Sequence, residues 1–468
     1  MQSFKTNLLA GASALLLAVA FTAPASAANV NGGGSSLIAP YLAQAFDCNV
    51  TGVGQSLLWD TNAAAVTYQA CPYSGSLTDT FQTATVGSGA GIKGFLTETA
   101  ANLFAATATL PSGFTDVSFA VSDGPLTGSR TTVGSDIYAW ENGTADTARG
   151  FSVTGTHARL LQFPLSIDPV AIAFNPVYDA QGDQLDIETN SGKLELTREA
   201  YCAIFNGDIH TWDDSRLTAL NNGLTLTPGH TSVPMHLVGR SESSGTTQLF
   251  TRHLQVACDA EAALSHISHN FYTTVGGANF TPNGTGGVVG GPYTNSVSFT
   301  LVANSSGVSN AIAAQPGAIG YLGPDYTADF EAASGAPANG LPAAMLINFN
   351  DSTLYAASGS DATTAFGAQT LPSGATAQAE PSNWVPNATL ANPAAGYPII
   401  GTTNVILKTV YGSSSISTPI KSFMSWYYTV PVTGTSQSDD LLNAVGLAPL
   451  PNNWKSAIGT YAAANITP

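Results

Sequence analysis

Short apolar runs of strand length alternate with amphipathic helical patterns along this chain, and that alternation restricts it to layered α/β architectures. Residues 170–176, VAIAFNP, read as a buried strand, and residues 318–322, AIGYL, as another. Between them, REAYCAIFNG (198–207) sets apolar residues at helical spacing and ends on Gly207, a C-cap signal. TTQLFTRHLQVAC (246–258) reads as an amphipathic helix. The Gly/Ala/Pro-rich region 331–396 is expected to form long surface loops, after which TNVILKTVY and IKSFMSWYYTV resume ordered structure. No internal repeat and no heptad pattern interrupts the alternation.

The first 27 residues stand apart. Lys5 supplies a positive start, Leu8 to Phe21 is an apolar run, and Ala25-Ser26-Ala27 is a small-residue cleavage site. This is the pattern of an export signal and is too short for a membrane anchor. No cysteine follows the cleavage site until Cys48, which argues against a lipid anchor. No later stretch is long and apolar enough to span a bilayer. The roughly 440 residues that remain can bury a large core and suggest two or more folding units.

Charge excludes several partners. The chain carries 13 Lys+Arg against 30 Asp+Glu, a formal net charge of −17, with no basic run. That argues against nucleic acids and anionic membranes. The four cysteines, Cys48, Cys71, Cys202 and Cys258, are an even number and fit an oxidising compartment. Sequential pairing, Cys48 with Cys71 and Cys202 with Cys258, is the expectation, against the alternative of free buried thiols. The N-x-S/T sites at Asn142 and Asn387 read as bystanders in a chain with a bacterial-type signal.

Three segments share one design, a Gly/Ser turn that opens a helix: GGGSSLIAPYLAQAF (32–46), VGSGAGIKGFL (86–96) and SESSGTTQLF (241–250). Pro40 is tolerable in the first helical turn. Each turn would aim free backbone N–H groups, a hydroxyl and the positive end of a helix dipole at one point. A tetrahedral oxyanion suits that chemistry. One such turn is usually only an N-cap. Three in one chain, one carrying Arg240, point to a shared anion pocket. Other motifs fail: the chain has no P-loop, no dinucleotide fingerprint and no G-x-S-x-G elbow. His266 and His269 lack a third ligand at convincing spacing and read as a polar helix face, so no metal is expected.

GRSESSGTTQLFTRHL with the downstream CDAE resembles the signature segment of the DING proteins, within the phosphate-binding proteins that serve ABC transporters. NGGGSSL resembles the DING amino terminus, although this chain reads VNGGG. VGSGAGIKGFL resembles the second phosphate loop, and FAVSDGPLT (119–127) the family's G-S-D-x-x-L segment. CAIFNGDIHTWDD (202–214), GYPIIGTTNVIL (396–407) and PLPNNWK (449–455) follow in family order. The resemblance implies the type II periplasmic-binding-protein fold, two α/β lobes with the ligand in the interlobe cleft. Residues 1–27 would be the signal peptide. Residues 28–165 and 310–468 would form lobe 1, and 166–309 lobe 2.

It also implies a phosphate site. Ser36 would give a hydroxyl and Leu37 a backbone N–H. Ser88 would give both kinds of donor. Asp123 would accept the ligand's proton, and Arg240 would make charge-assisted hydrogen bonds. Ser244, Gly245 and Thr246 would close the site, and Glu242 would orient the arginine. Read without the family, Asp123 is an ordinary turn residue in S-D-G-P, and Arg240 pairs with Glu242 at the surface. Cys202–Cys258 is a disulfide of the family. A second family disulfide has no cysteines here, since TVYG stands in its place, and Cys48 with Cys71 is either a local replacement or an accident of loose alignment. The implied role is capture of inorganic phosphate by a periplasmic or secreted monomer, without cofactor or catalytic residue, with an ABC-transporter permease as the candidate partner. The competing readings are a phosphatase or phosphotriesterase on the same cleft, and an extracellular scaffold or adhesion protein.

Overall fold

A computed structural model describes residues 28–49, 56–73, 75, 78–189, 192–259, 282–283, 287–288, 298–329, 340–386 and 389–468. The expected export signal at 1–27, the His266/His269 pair and Asn387 lie outside the described residues.

The first sheet takes β1 (Asn29–Gly34), β2 (Leu57–Trp59), β3 (Thr80–Thr85), β4 (Phe119–Ser122) and β5 (Leu160–Pro169). The chain crosses at Val170 into a second sheet, built from β6 (Ala171–Phe174), β7 (His236–Arg240), β8 (Ser298–Val302) and β9 (Ala318–Leu322). It returns to the first sheet with β10 (Ile400–Lys408). The spatial orders are β2-β3-β1-β4-β10-β5 and β8-β7-β9-β6. Within the first sheet β1 to β4 run parallel, while β10 is antiparallel to both β4 and β5. Every residue of β6 and β9 is buried, as expected of strands covered on both faces.

β9 belongs to the second sheet although it lies beyond residue 310. The expected return at residue 310 falls before a strand that still pairs with β7 and β6. A further small sheet joins Met345–Asn348 to Glu195–Leu196, which extends that lobe's contacts past residue 340. Region 331–396 also holds more structure than its composition suggests. Its described part contains Met345–Asn348 paired with Thr353–Tyr355, and a helix over Gly359–Phe366. Phe366, Trp384 and Leu390 are buried there. A few aromatic and aliphatic anchors, spaced widely among Gly and Ala, hold the segment down. A composition average dilutes them.

Helices α1 (Ala39–Asn49), α2 (Ser88–Leu96), α3 (Arg198–Asn206), α4 (Gly245–Asp259), α5 (Asn304–Ala314), α6 (Ser414–Tyr427) and α7 (Asn452–Asn465) cover the sheets. α3 begins at Thr197, whose side chain accepts the N–H of Ala200, and ends at Gly207 with φ 86°. That left-handed residue favours glycine. On the first sheet Phe46 stacks on Phe81 at 4.2 Å and meets Phe423 of α6 at 4.4 Å. On the second, Phe250 of α4 stacks on Tyr321 of β9 at 4.3 Å. No helix among the described residues is long and apolar enough to cross a membrane.

Both sequential disulfides are formed. Cys48–Cys71 ties the end of α1 to the loop beyond it, with a Cα–Cα distance of 5.2 Å. Cys202–Cys258 ties α3 to the end of α4, at 5.7 Å. The second bridge closes 56 residues. Replacing both of its cysteines by alanine is expected to destabilise the protein by about 3–4 kcal/mol, because the unfolded chain regains the freedom of that loop. Urea denaturation of oxidised wild type and variant measures it. A difference below about 1 kcal/mol would show that the bridge does not set stability in this way.

Candidate functional site

Four strand-turn-helix units meet at the carboxyl ends of parallel strands, the place where open α/β sheets bind ligands. From the first sheet, β1 runs through Ser35 to Ile38 into α1, and β3 runs through Gly87 into α2. From the second, β7 runs through 241–244 into α4, and β8 runs through Ala303 into α5. Close backbone packing makes the first pair possible. Gly34, at φ 141°, lies so near β4 that a Cβ there would meet the Val121 carbonyl oxygen at 2.1 Å. The N–H groups of Val86 and Gly87 both donate to the Gly34 carbonyl, at 3.1 and 2.8 Å.

Arg240 occupies the last position of β7 and is 2% exposed, so it is not the surface ion pair that its sequence context allows. Its Nε donates to Glu242 Oε1 at 2.8 Å, and its Nη2 is paired with the same oxygen. Nη2 also donates to Ser36 Oγ at 2.7 Å, and Nη1 donates to Ser305 Oγ at 3.4 Å. The Ser305 N–H donates to Ser36 Oγ at 3.2 Å, and the Asn304 N–H to Glu242 Oε1 at 3.1 Å. One guanidinium thus links the first turn of one lobe to two turns of the other. Such charge-assisted bonds fix the planar fork of arginine in place.

Asp123 follows β4 and is 1% exposed. Its backbone N–H donates to Ser88 Oγ at 3.3 Å, and its Oδ2 accepts from the Thr246 hydroxyl at 3.0 Å. Thr246 comes from the other lobe. Gly245 beside it packs so tightly that a Cβ would meet Ser88 Oγ at 2.3 Å and Asp123 Cβ at 2.8 Å. Ser244 caps α4, its Oγ accepting the Thr247 N–H at 3.2 Å. The N–H of Leu37 donates to Ser35 Oγ at 3.1 Å, and its side chain lies in the core. The Gly89 N–H donates to the Ser243 carbonyl at 3.1 Å, so the turns of the two lobes touch directly.

Burial pushes the Asp123 carboxyl above its ordinary value. The hydroxyls of Ser35, Thr403 and Thr246 and the positive charge of Arg240 oppose that shift. Arg240 thus acts on Asp123 from the other lobe. A second carboxyl stands behind it. Asp168, at the end of β5 and fully buried, is pushed up to about 7 by burial and by the charge of Asp123.

The structure therefore brings Ser36, Ser88, Asp123, Arg240, Glu242, Gly245 and Thr246 together, with the Leu37 N–H and Ser244 in the turns beside them. Ser35, Ser305, Thr403 and Asp168 also belong to the network and were not anticipated. Ser305 had a signal: SSG at 305–307 follows a strand and opens a helix, as SSG does at 243–245. Thr403 and Asp168 had none, because they sit inside strands.

A family model described as a PBP superfamily domain matches residues 22–430. An alkaline phosphatase L from Pseudomonas aeruginosa is 30% identical over 379 residues, covering 81% of this chain and 80% of that protein. A phosphate-binding protein from an unknown prokaryotic organism is 27% identical over 324 residues, covering 64% of this chain and 72% of that one. Among solved structures, a high-affinity periplasmic phosphate-binding protein (PfluDING) bound with phosphate superposes with a TM-score of 0.59. It is 25% identical and the match covers 92% of this chain and 93% of that one.

Proposed function

The chain belongs to the PBP superfamily, and from that premise we propose that it is an exported solute-binding protein that captures inorganic phosphate between its lobes. One observation carries the reading. A buried arginine and a buried carboxylate from different lobes lie among four turns with hydroxyl and N–H donors, Arg240 bonding Ser36 and Ser305 and Asp123 bonding Ser88 and Thr246. The donors suit a tetrahedral anion, and the carboxylate suits an anion that still carries a proton. The local donors also account for anion capture by a chain of formal charge −17, since contact-distance hydrogen bonds outweigh screened distant charges. Ser36, Leu37, Ser88, Asp123, Arg240, Ser244, Gly245 and Thr246 are the proposed contacts, with Glu242 holding the arginine. On this reading residues 1–27 are an export signal, and the protein is a periplasmic or secreted monomer that hands its ligand to an ABC-transporter permease.

Calorimetry on protein stripped of ligand tests the reading. Phosphate is expected to bind tightly and sulfate to bind far more weakly, with arsenate close to phosphate. No heat with phosphate would overturn the proposal. The name of the Pseudomonas aeruginosa relative favours a second reading, a phosphatase on the same cleft. Turnover of p-nitrophenyl phosphate by the purified protein, lost in Arg240→Ala, would establish it. Phosphate binding without turnover would leave the first reading alone.

A further inference from the structure

We propose that Asp168 is a positioning residue that holds a proton behind Asp123 and transmits it as a hydrogen bond through the Thr403 hydroxyl, so that phosphate affinity depends on whether Asp168 is protonated. The inference rests on the phosphate-binding reading and deepens it. Thr403 Oγ1 lies 2.8 Å from Asp123 Oδ1 and 2.6 Å from Asp168 Oδ2. A hydroxyl carries one hydrogen and can donate only once. With both carboxyls ionised, one of these contacts would set lone pair against lone pair in a buried site. One proton added to either carboxyl turns both contacts into hydrogen bonds.

The surroundings decide which carboxyl holds it. Burial raises both carboxyls, and hydrogen bonds oppose it at each, from Ser35, Thr403 and Thr246 at Asp123 and from Ser166 and Thr403 at Asp168, but only Asp123 also has a positive charge, Arg240, favouring its ionised form. The ionisable groups acting with Asp168 are the carboxyls of Asp123 and Asp325 and the phenols of Tyr41 and Tyr427. Asp325 is 3% exposed, and among the described residues its Oδ1 has no hydrogen-bond partner. Burial therefore favours a neutral Asp325 as well. Asp168 Oδ1 meanwhile accepts the Ser166 hydroxyl, which leaves Oδ2 to carry the proton toward Thr403. The relay then runs Asp168 O–H to Thr403 Oγ1, and Thr403 O–H to Asp123. Asp123 stays a pure acceptor for the ligand's proton.

The sign follows. As pH rises through about 7, Asp168 ionises, and a second negative charge then stands behind the bound anion. Phosphate itself titrates in the same range, so the informative quantity is a ratio between two proteins. The dissociation constant for inorganic phosphate is measured by calorimetry from acid to alkaline pH for wild type and Asp168→Asn. The amide can donate to Thr403 at every pH. The variant is expected to match wild type within about threefold at acid pH, and the ratio of wild-type to variant affinity to fall by roughly tenfold or more across the range. Profiles that stay parallel overturn the relay alone. No phosphate binding by wild type overturns the underlying reading, and the relay with it. Should that variant not fold, Asp168→Ser replaces it in the same ratio, since serine is neutral at every pH and its hydroxyl can also donate, and parallel profiles again overturn the relay.

Discussion

Arg240→Ala is expected to lower phosphate affinity by about a hundredfold or more, since hydrogen bonds to charged groups contribute roughly 1.5–3 kcal/mol each and a guanidinium can offer two to one anion. Two effects add in the same direction. The ligand loses its strongest donors, and Glu242, which now accepts from Nε at 2.8 Å, is left beside the anion without its positively charged partner. Ser36 loses the bond that crosses between the lobes at 2.7 Å, so the closed arrangement is weakened as well. Arg240→Lys keeps the charge but cannot bridge Glu242, Ser36 and Ser305 with one planar group, so it is expected to lie between alanine and wild type. Calorimetry reads the affinities, and far-ultraviolet circular dichroism checks that each variant is folded. Unchanged affinity in a folded Arg240→Ala would remove the arginine from the site.

The local turns were readable because each carries its chemistry within a few residues. A strand ends, a glycine or serine turn follows, and a helix begins, so hydroxyl, N–H groups and helix dipole arrive together at Ser36, Ser88 and Gly245. The strands at 170–176 and 318–322 were readable for a related reason, since a strand buried on both faces shows as a short continuous apolar run. Thr403 and Asp168 are different. They are 235 residues apart in sequence and meet only because β5 and β10 pair in one register, with an irregularity beside Thr403. No spacing rule announces that meeting. Trp384 is a third case, a fully buried anchor in a stretch whose Gly and Ala content hides it. The burial of Arg240 was not readable either. An R-x-E pair looks the same at a surface and at a cleft, and only the packing of four turns around it separates the two.

Asp123→Asn is expected to change selectivity more than affinity. A carboxylate facing an anion is unfavourable by charge alone, and it becomes favourable only when the anion brings a proton to share. Hydrogen phosphate and dihydrogen phosphate carry one, whereas sulfate at neutral pH carries none. In this structure the carboxylate is already committed as an acceptor, with Thr246 donating to Oδ2 at 3.0 Å and Thr403 at 2.8 Å from Oδ1. Against phosphate it accepts one further, charge-assisted hydrogen bond. Against sulfate it meets a second acceptor in a site where it is 1% exposed, too buried for water to intervene. Sites of this kind reject an analogue that leaves buried polar groups unpaired, by factors that reach about 10⁴–10⁵. Asparagine removes the rejection, because its oxygen can still accept from phosphate while its nitrogen can donate to sulfate. The phosphate-to-sulfate affinity ratio is therefore expected to fall by about a hundredfold or more, while phosphate affinity itself falls by less. Both ratios are measured at one pH and one salt concentration, since the charge of phosphate and the screening of the site change with each. A ratio that does not move in a folded variant would reduce Asp123 to the turn residue that S-D-G-P also describes.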